Sequence, residues 1–104
     1  MEAMLAVPTL DEARARLLAD AAAFRALGVS AVTLFGSIAS GKAHPASDVD
    51  AVLETVTDSF GYDALIAVAE RLEDLFLRDV DVIHVRSLSP ELASEVKATG
   101  VRVL

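Results

Sequence analysis

Asp48 and Asp50 stand two residues apart at the start of the apolar run DVDAVLE. Residues two apart on a strand point to one face, so both carboxylates would aim at the same spot. Carboxylates that close repel and perturb each other unless a cation lies between them. All-oxygen donors of this kind suit Mg²⁺ or Mn²⁺. A second pair, Asp79 and Asp81, flanks Val80 farther along. In VDVIHV, Asp81 sits inside an apolar segment, where a lone buried charge would be expensive. If the two strands are neighbours, Asp81 can join Asp48 and Asp50 around one cleft. Taken singly, each Asp also fits a plain structural role, such as ending a loop or capping a strand in solvent, and Asp79 is left outside the site.

Upstream, Gly36 to Lys42 reads GSIASGK, which has the Gly and Lys spacing of a nucleotide-binding P-loop. The rest of that motif is missing. Ala43 stands where a hydroxyl should bind Mg²⁺, and Pro45 and the strand at Asp48 leave no room for the helix whose N-terminus would hold the phosphates. The match is therefore read as a Gly/Ser-rich turn, in which His44 is a solvated loop residue.

The elements that must position these residues follow from local signals. Thr9 and Glu12 form a capping-box pattern, and Leu10, Ala13, Leu17, Ala21 and Phe24 recur at helical spacing up to Gly28. Ser30–Phe35 is a β-branched, apolar strand, and Asp48–Glu54 is a second. Between them lies a loop with at most one helical turn. Leu65, Val68, Ala69, Leu72, Leu75 and Phe76 make an apolar stripe on a helix from Tyr62 to Leu77. Val80–Val85 is a third strand. Ser89-Pro90 opens a last helix, Gly100 stops it, and VRVL can add a short strand. The expected fold class is α/β, a small mixed sheet of three to four strands with helices packed on it, in the order α-β-β-α-β-α. Residues 1–104 are expected to form a single domain.

Composition narrows the function classes. The 104 residues carry 9 Lys+Arg against 16 Asp+Glu, a net charge of −7, which argues against binding free nucleic acid through its phosphates. The absence of cysteine removes disulfide and thiolate chemistry. MEAMLAVPTLDEAR lacks the features of a signal peptide, and no apolar run is long enough to span a bilayer, so a soluble, cytoplasmic protein is expected. A hydrophobic content of 54% in so short a chain predicts an exposed apolar patch, used for a partner protein or a second copy.

Phe35-Gly36-Ser37, ten further residues, and then Asp48-Val49-Asp50 resembles the signature of the DNA polymerase β-like nucleotidyltransferase superfamily. Val80-Asp81-Val82-Ile83 resembles that superfamily's third-carboxylate strand. The small size and the closing LSPEL helix are similar to the minimal nucleotidyltransferases (MNT), the antitoxin-like partners of HEPN proteins. The resemblance implies a nucleotidyltransferase fold and the following roles. Gly36 and Ser37 would hold a nucleotide triphosphate, and Asp48 and Asp50 would bind Mg²⁺. Asp81 would help bind a second metal and assist deprotonation of the attacking hydroxyl. It further implies ATP as donor and a HEPN toxin, a helical RNase, as the AMP acceptor. Relatives commonly read GSRARG, whereas Ile38 and Ser40 stand in the arginine places here, leaving Lys42 as the loop's cation. Two alternatives follow: an antitoxin that neutralises its partner by binding alone, and transfer to a small molecule, for which no substrate domain is evident.

Overall fold

A computed structural model of the chain describes residues 9–40, 49–57 and 61–104. Helix α1 (Leu10–Ala19) opens with the expected capping box. The Glu12 N–H donates to Thr9 Oγ1 at 3.1 Å, and the Thr9 N–H donates to Glu12 Oε1 at 2.8 Å. Two donors that a helix start leaves unpaired are thereby satisfied.

The single helix expected from Leu10 to Gly28 is in fact two. The chain leaves helical geometry at Asp20 (φ −106°, ψ 12°) and resumes as α2 (Ala21–Ala26). At the break the chain meets a distant partner. The Asp20 carboxylate accepts from Arg71 Nε at 2.6 Å and Arg71 Nη2 at 2.7 Å, a two-pronged pair across 51 residues. Ala13 and Leu17 before the break and Phe24 after it are all buried.

The remaining elements are β1 (Val29–Phe35), α3 (Ser37–Ser40), β2 (Val49–Thr55), α4 (Tyr62–Phe76), β3 (Val80–His84), α5 (Pro90–Thr99) and β4 (Val101–Arg102). The expected order thus gains α2, while the one helical turn allowed for in the loop and the short strand allowed for at VRVL are present as α3 and β4. The third strand stops at His84 rather than Val85, because a 3₁₀ turn begins there and the Arg86 N–H donates to His84 Nδ1 at 3.1 Å. Ser89 caps α5 as expected, with its hydroxyl accepting from the Leu92 N–H at 3.2 Å.

The strands form one mixed sheet in the order β3-β2-β1-β4. β1 runs antiparallel to both β2 and β4, while β2 and β3 are parallel and joined through α4, the helical crossover that parallel strands require. Alternation sorts the side chains onto two faces. One face presents Val32, Leu34, Val49, Ala51, Leu53 and Val80, which build the core with Leu17, Phe24, Val68, Leu72 and Phe76 of the helices. The other face carries Thr33, Phe35, Asp50, Asp81 and Ile83 in alternation, with α5 packed on β1.

Exposed large apolar side chains among the described residues include Leu18, Val56, Tyr62, Ile66, Leu77 and Val85. Tyr62 and Ile66 share one face of α4, a turn apart. No helix among the described residues is long and apolar enough to cross a membrane.

Two outcomes test these contacts. The hydrogen bonds from Arg71 hold the Asp20 carboxyl below its ordinary pKa, so the pair stabilises the fold above the unfolded-state value and stops doing so as pH falls through the folded one. Asp20→Asn should lower the melting temperature by a few degrees at pH 7, and the gap to wild type should close in a series of melts below about pH 4. Leu77, at the end of α4, adopts left-handed geometry (φ 56°) and is 71% exposed. Leu77→Gly removes the steric cost of that conformation and should raise stability by up to about 1 kcal/mol in urea unfolding.

Candidate active site

β1 ends at Phe35, and the chain turns at Gly36 into α3. Gly36 has φ +74°, a conformation that side-chain-bearing residues seldom adopt. A second constraint acts at the same atom. A Cβ on Gly36 would lie 2.5 Å from Asp50 Oδ2, so the glycine also makes room for that carboxylate. The antiparallel register explains the proximity, since Phe35 is the β-partner of Asp50.

Asp50 is in turn paired with Asp81 across the parallel β2–β3 ladder. Partners on adjacent strands stand about 5 Å apart and point to the same side. Both Asp side chains line a cleft of about 450 Å³, with Phe35, Val82, Ile83, Leu92 and Glu95 completing its walls. Gly36, Asp50 and Asp81, read from separate parts of the chain, are therefore neighbours.

Asp81 is exposed to the cleft, so the burial cost that its apolar sequence surroundings suggest does not arise. Its strand neighbour Val80 faces the other way, into the core, and Val82, which also borders the cleft, packs against that core. Asp79 is exposed, and its carbonyl accepts from the Val49 N–H at 3.1 Å, which fixes the start of the β2–β3 pairing.

Ser37 begins α3 beside Gly36. Asp48, Lys42 and His44 lie outside the described residues. Among the described residues, no three His, Cys, Asp or Glu side chains come together so as to hold a metal. The Asp50–Asp81 pair itself supplies oxygen donors only, the set that Mg²⁺ and Mn²⁺ take.

Ile38 is 3% exposed and belongs to the core cluster. The place where relatives are expected to carry arginine here anchors α3 on the sheet. Sequence reading also missed Leu92 and Glu95 as cleft residues. Their spacing on one helical face was available, but not the knowledge of which sheet face α5 covers.

The Gly36 geometry gives a direct test. Gly36→Ala should cost about 1–2 kcal/mol from the backbone alone and more from the collision with Asp50. Combining it with Asp50→Ala should recover part of that loss in a double-mutant cycle read by urea unfolding.

The Polymerase beta, nucleotidyltransferase family matches residues 22–104. The chain is similar to a structure assigned as a minimal nucleotidyltransferase, with 28% identity and a TM-score of 0.75, over 89% of this chain and 94% of that one. It is also similar to a chain of a toxin–antitoxin complex solved with AMP-PNP, with 25% identity and a TM-score of 0.71, over 88% and 72% of the two chains. A further likeness, in fold, is to a chain in the complex of a tri-AMPylated Shewanella oneidensis HEPN toxin with its MNT antitoxin (21% identity, TM-score 0.65, 88% and 71% covered). No curated protein matches the sequence. With the family match running from α2 to the last residue, and a mixed sheet that brings Gly36, Asp50 and Asp81 together, this chain belongs to the Polymerase beta nucleotidyltransferase family.

Proposed function

We propose that this protein transfers AMP from ATP to a side-chain hydroxyl of a partner protein, and that it acts as the antitoxin of a HEPN-type RNase toxin. The observation that carries this reading is the in-register pairing of Asp50 with Asp81 beside the Gly36 turn. One relative's complex was solved with AMP-PNP, and another contains a tri-AMPylated HEPN toxin.

In this reading Asp48, Asp50 and Asp81 hold Mg²⁺ or Mn²⁺, while Gly36 and Ser37 hold the triphosphate. Lys42 contributes a point charge to the phosphates. The bound ion supplies charge neutralisation on the triphosphate and makes the acceptor hydroxyl more acidic. Asp81, open to the cleft, takes the hydroxyl proton. The acceptor oxygen then bonds to the α-phosphorus, the α–β bridging bond breaks, and pyrophosphate leaves. The protein's own part is to orient the two reactants and concentrate charge where the transition state needs it.

A second reading is favoured by Ile38, whose side chain is spent on the core rather than on phosphate. It makes the protein a binding-only antitoxin that occludes its partner.

One experiment decides between them. The partner toxin, incubated with this protein, ATP and Mg²⁺, should gain the mass of one or more AMP groups. Asp50→Asn and Asp81→Asn should each slow that gain by about 100-fold or more. A partner that gains no mass, yet is neutralised equally by wild type and both variants, would establish the binding-only reading.

A further inference from the structure

Nucleotidyl transfer brings two ligands into one cleft, and of the residues assigned above only Asp81 meets the acceptor, at its hydroxyl. The wall contributed by α5 is made by Leu92 and Glu95, three residues apart on one helical face. Glu95 is exposed, and among the described residues its carboxylate has no hydrogen-bond or ion-pair partner. The bond recorded at this residue is to its backbone carbonyl, from Thr99 Oγ1 at 2.9 Å. Nor does Glu95 converge with Asp50 and Asp81, since no three such side chains among the described residues are placed to share an ion. It lines the same cleft but stands apart from the paired carboxylates.

A carboxylate in that position repels a polyphosphate and attracts a cation. The donor nucleotide is an anion, and Glu95 does not share an ion site with Asp50 and Asp81, so the cation it attracts is assigned to the acceptor. Leu92, Ile83 and Phe35 add apolar surface beside Glu95, suited to the ring of a hydroxyl-bearing side chain. The whole-chain charge of −7 pulls in the same direction, toward a basic acceptor segment.

We infer that Glu95, with Leu92, is a specificity-determining residue on the acceptor side of the cleft, selecting a hydroxyl acceptor flanked by Lys or Arg. This rests on the nucleotidyl-transfer reading above and names which acceptor that site takes.

The test uses three synthetic tyrosine peptides, flanked by lysines, alanines or glutamates. With ATP and Mg²⁺, wild type should give the highest kcat/KM on the lysine peptide. Glu95→Gln should reduce its preference over the alanine peptide about three- to fivefold, through KM for the peptide, with KM for ATP unchanged. Glu95→Lys should reverse the preference. Glu70→Gln, the same charge change on the exposed surface of α4, should leave it intact. An unchanged preference in Glu95→Gln, or an equal loss in Glu70→Gln, would overturn the assignment.

A binding arm without nucleotide keeps the two proposals separable. The lysine peptide, titrated into ¹⁵N-labelled protein, should shift the Leu92 and Glu95 amides and bind Glu95→Gln more weakly. If the partner toxin gains no AMP in the assay above but this binding difference appears, the transfer reading fails while the Glu95 surface stands. If wild type and Glu95→Gln bind alike, the Glu95 inference fails whatever the activity.

Discussion

The parallel pairing of β2 with β3 is the constraint on which the rest of this molecule depends. Its register puts Val49, Ala51 and Leu53 alongside Val80, Val82 and His84, and sets Asp50 against Asp81 on the opposite face. The helix α4 holds that register from one side, burying Val68, Leu72 and Phe76 against the apolar row. A slip of one residue would turn the carboxylates into the core and the valines into the cleft. Burial on one face therefore specifies chemistry on the other. The Asp79 carbonyl, bonded to the Val49 N–H, adds a backbone contact at the end where the acidic residues lie.

The β1 end is tied to the same register. Phe35 pairs with Asp50, so the turn at Gly36 falls against the Asp50 carboxylate, and only a residue without Cβ fits there. One residue past Ser37, Ile38 buries its side chain and holds α3 to the sheet. The start of the loop is thus pinned twice, by a hydrophobic anchor and by a backbone conformation. The ion pair between Asp20 and Arg71 plays a comparable part at the periphery, joining the α1–α2 break to the crossover helix.

Local signals made much of this legible. The Thr9 and Ser89 caps, the α4 stripe and the three longer strands all announce themselves within a few residues. The feature that sequence could not reveal is in each case set by something distant. The break in a good helical pattern falls at Asp20, whose partner Arg71 lies 51 residues away. Ile38 reads as a loop residue until the sheet beneath it is known. Asp81 looks like a buried charge in its apolar strand, yet alternation turns it outward. Glu95 was overlooked for the same reason: its significance depends on the sheet face that α5 covers. Within the site, the closeness of Asp50 and Asp81 could be stated only conditionally, on two strands being neighbours.

That adjacency also has a kinetic meaning. Asp50 and Asp81 belong to strands separated by the whole of α4, and no nearest-neighbour hairpin can bring them together. Closing such a crossover costs loop entropy before any packing repays it, so non-local parallel pairing tends to form late. The two carboxylates meet only when the crossover closes, and their mutual repulsion is then set against the burial of Val68, Leu72 and Phe76. A nascent chain released before β3 would contain the glycine turn and the first acidic pair but no two-walled cleft. The cleft would thus arrive in one step, with completion of the sheet.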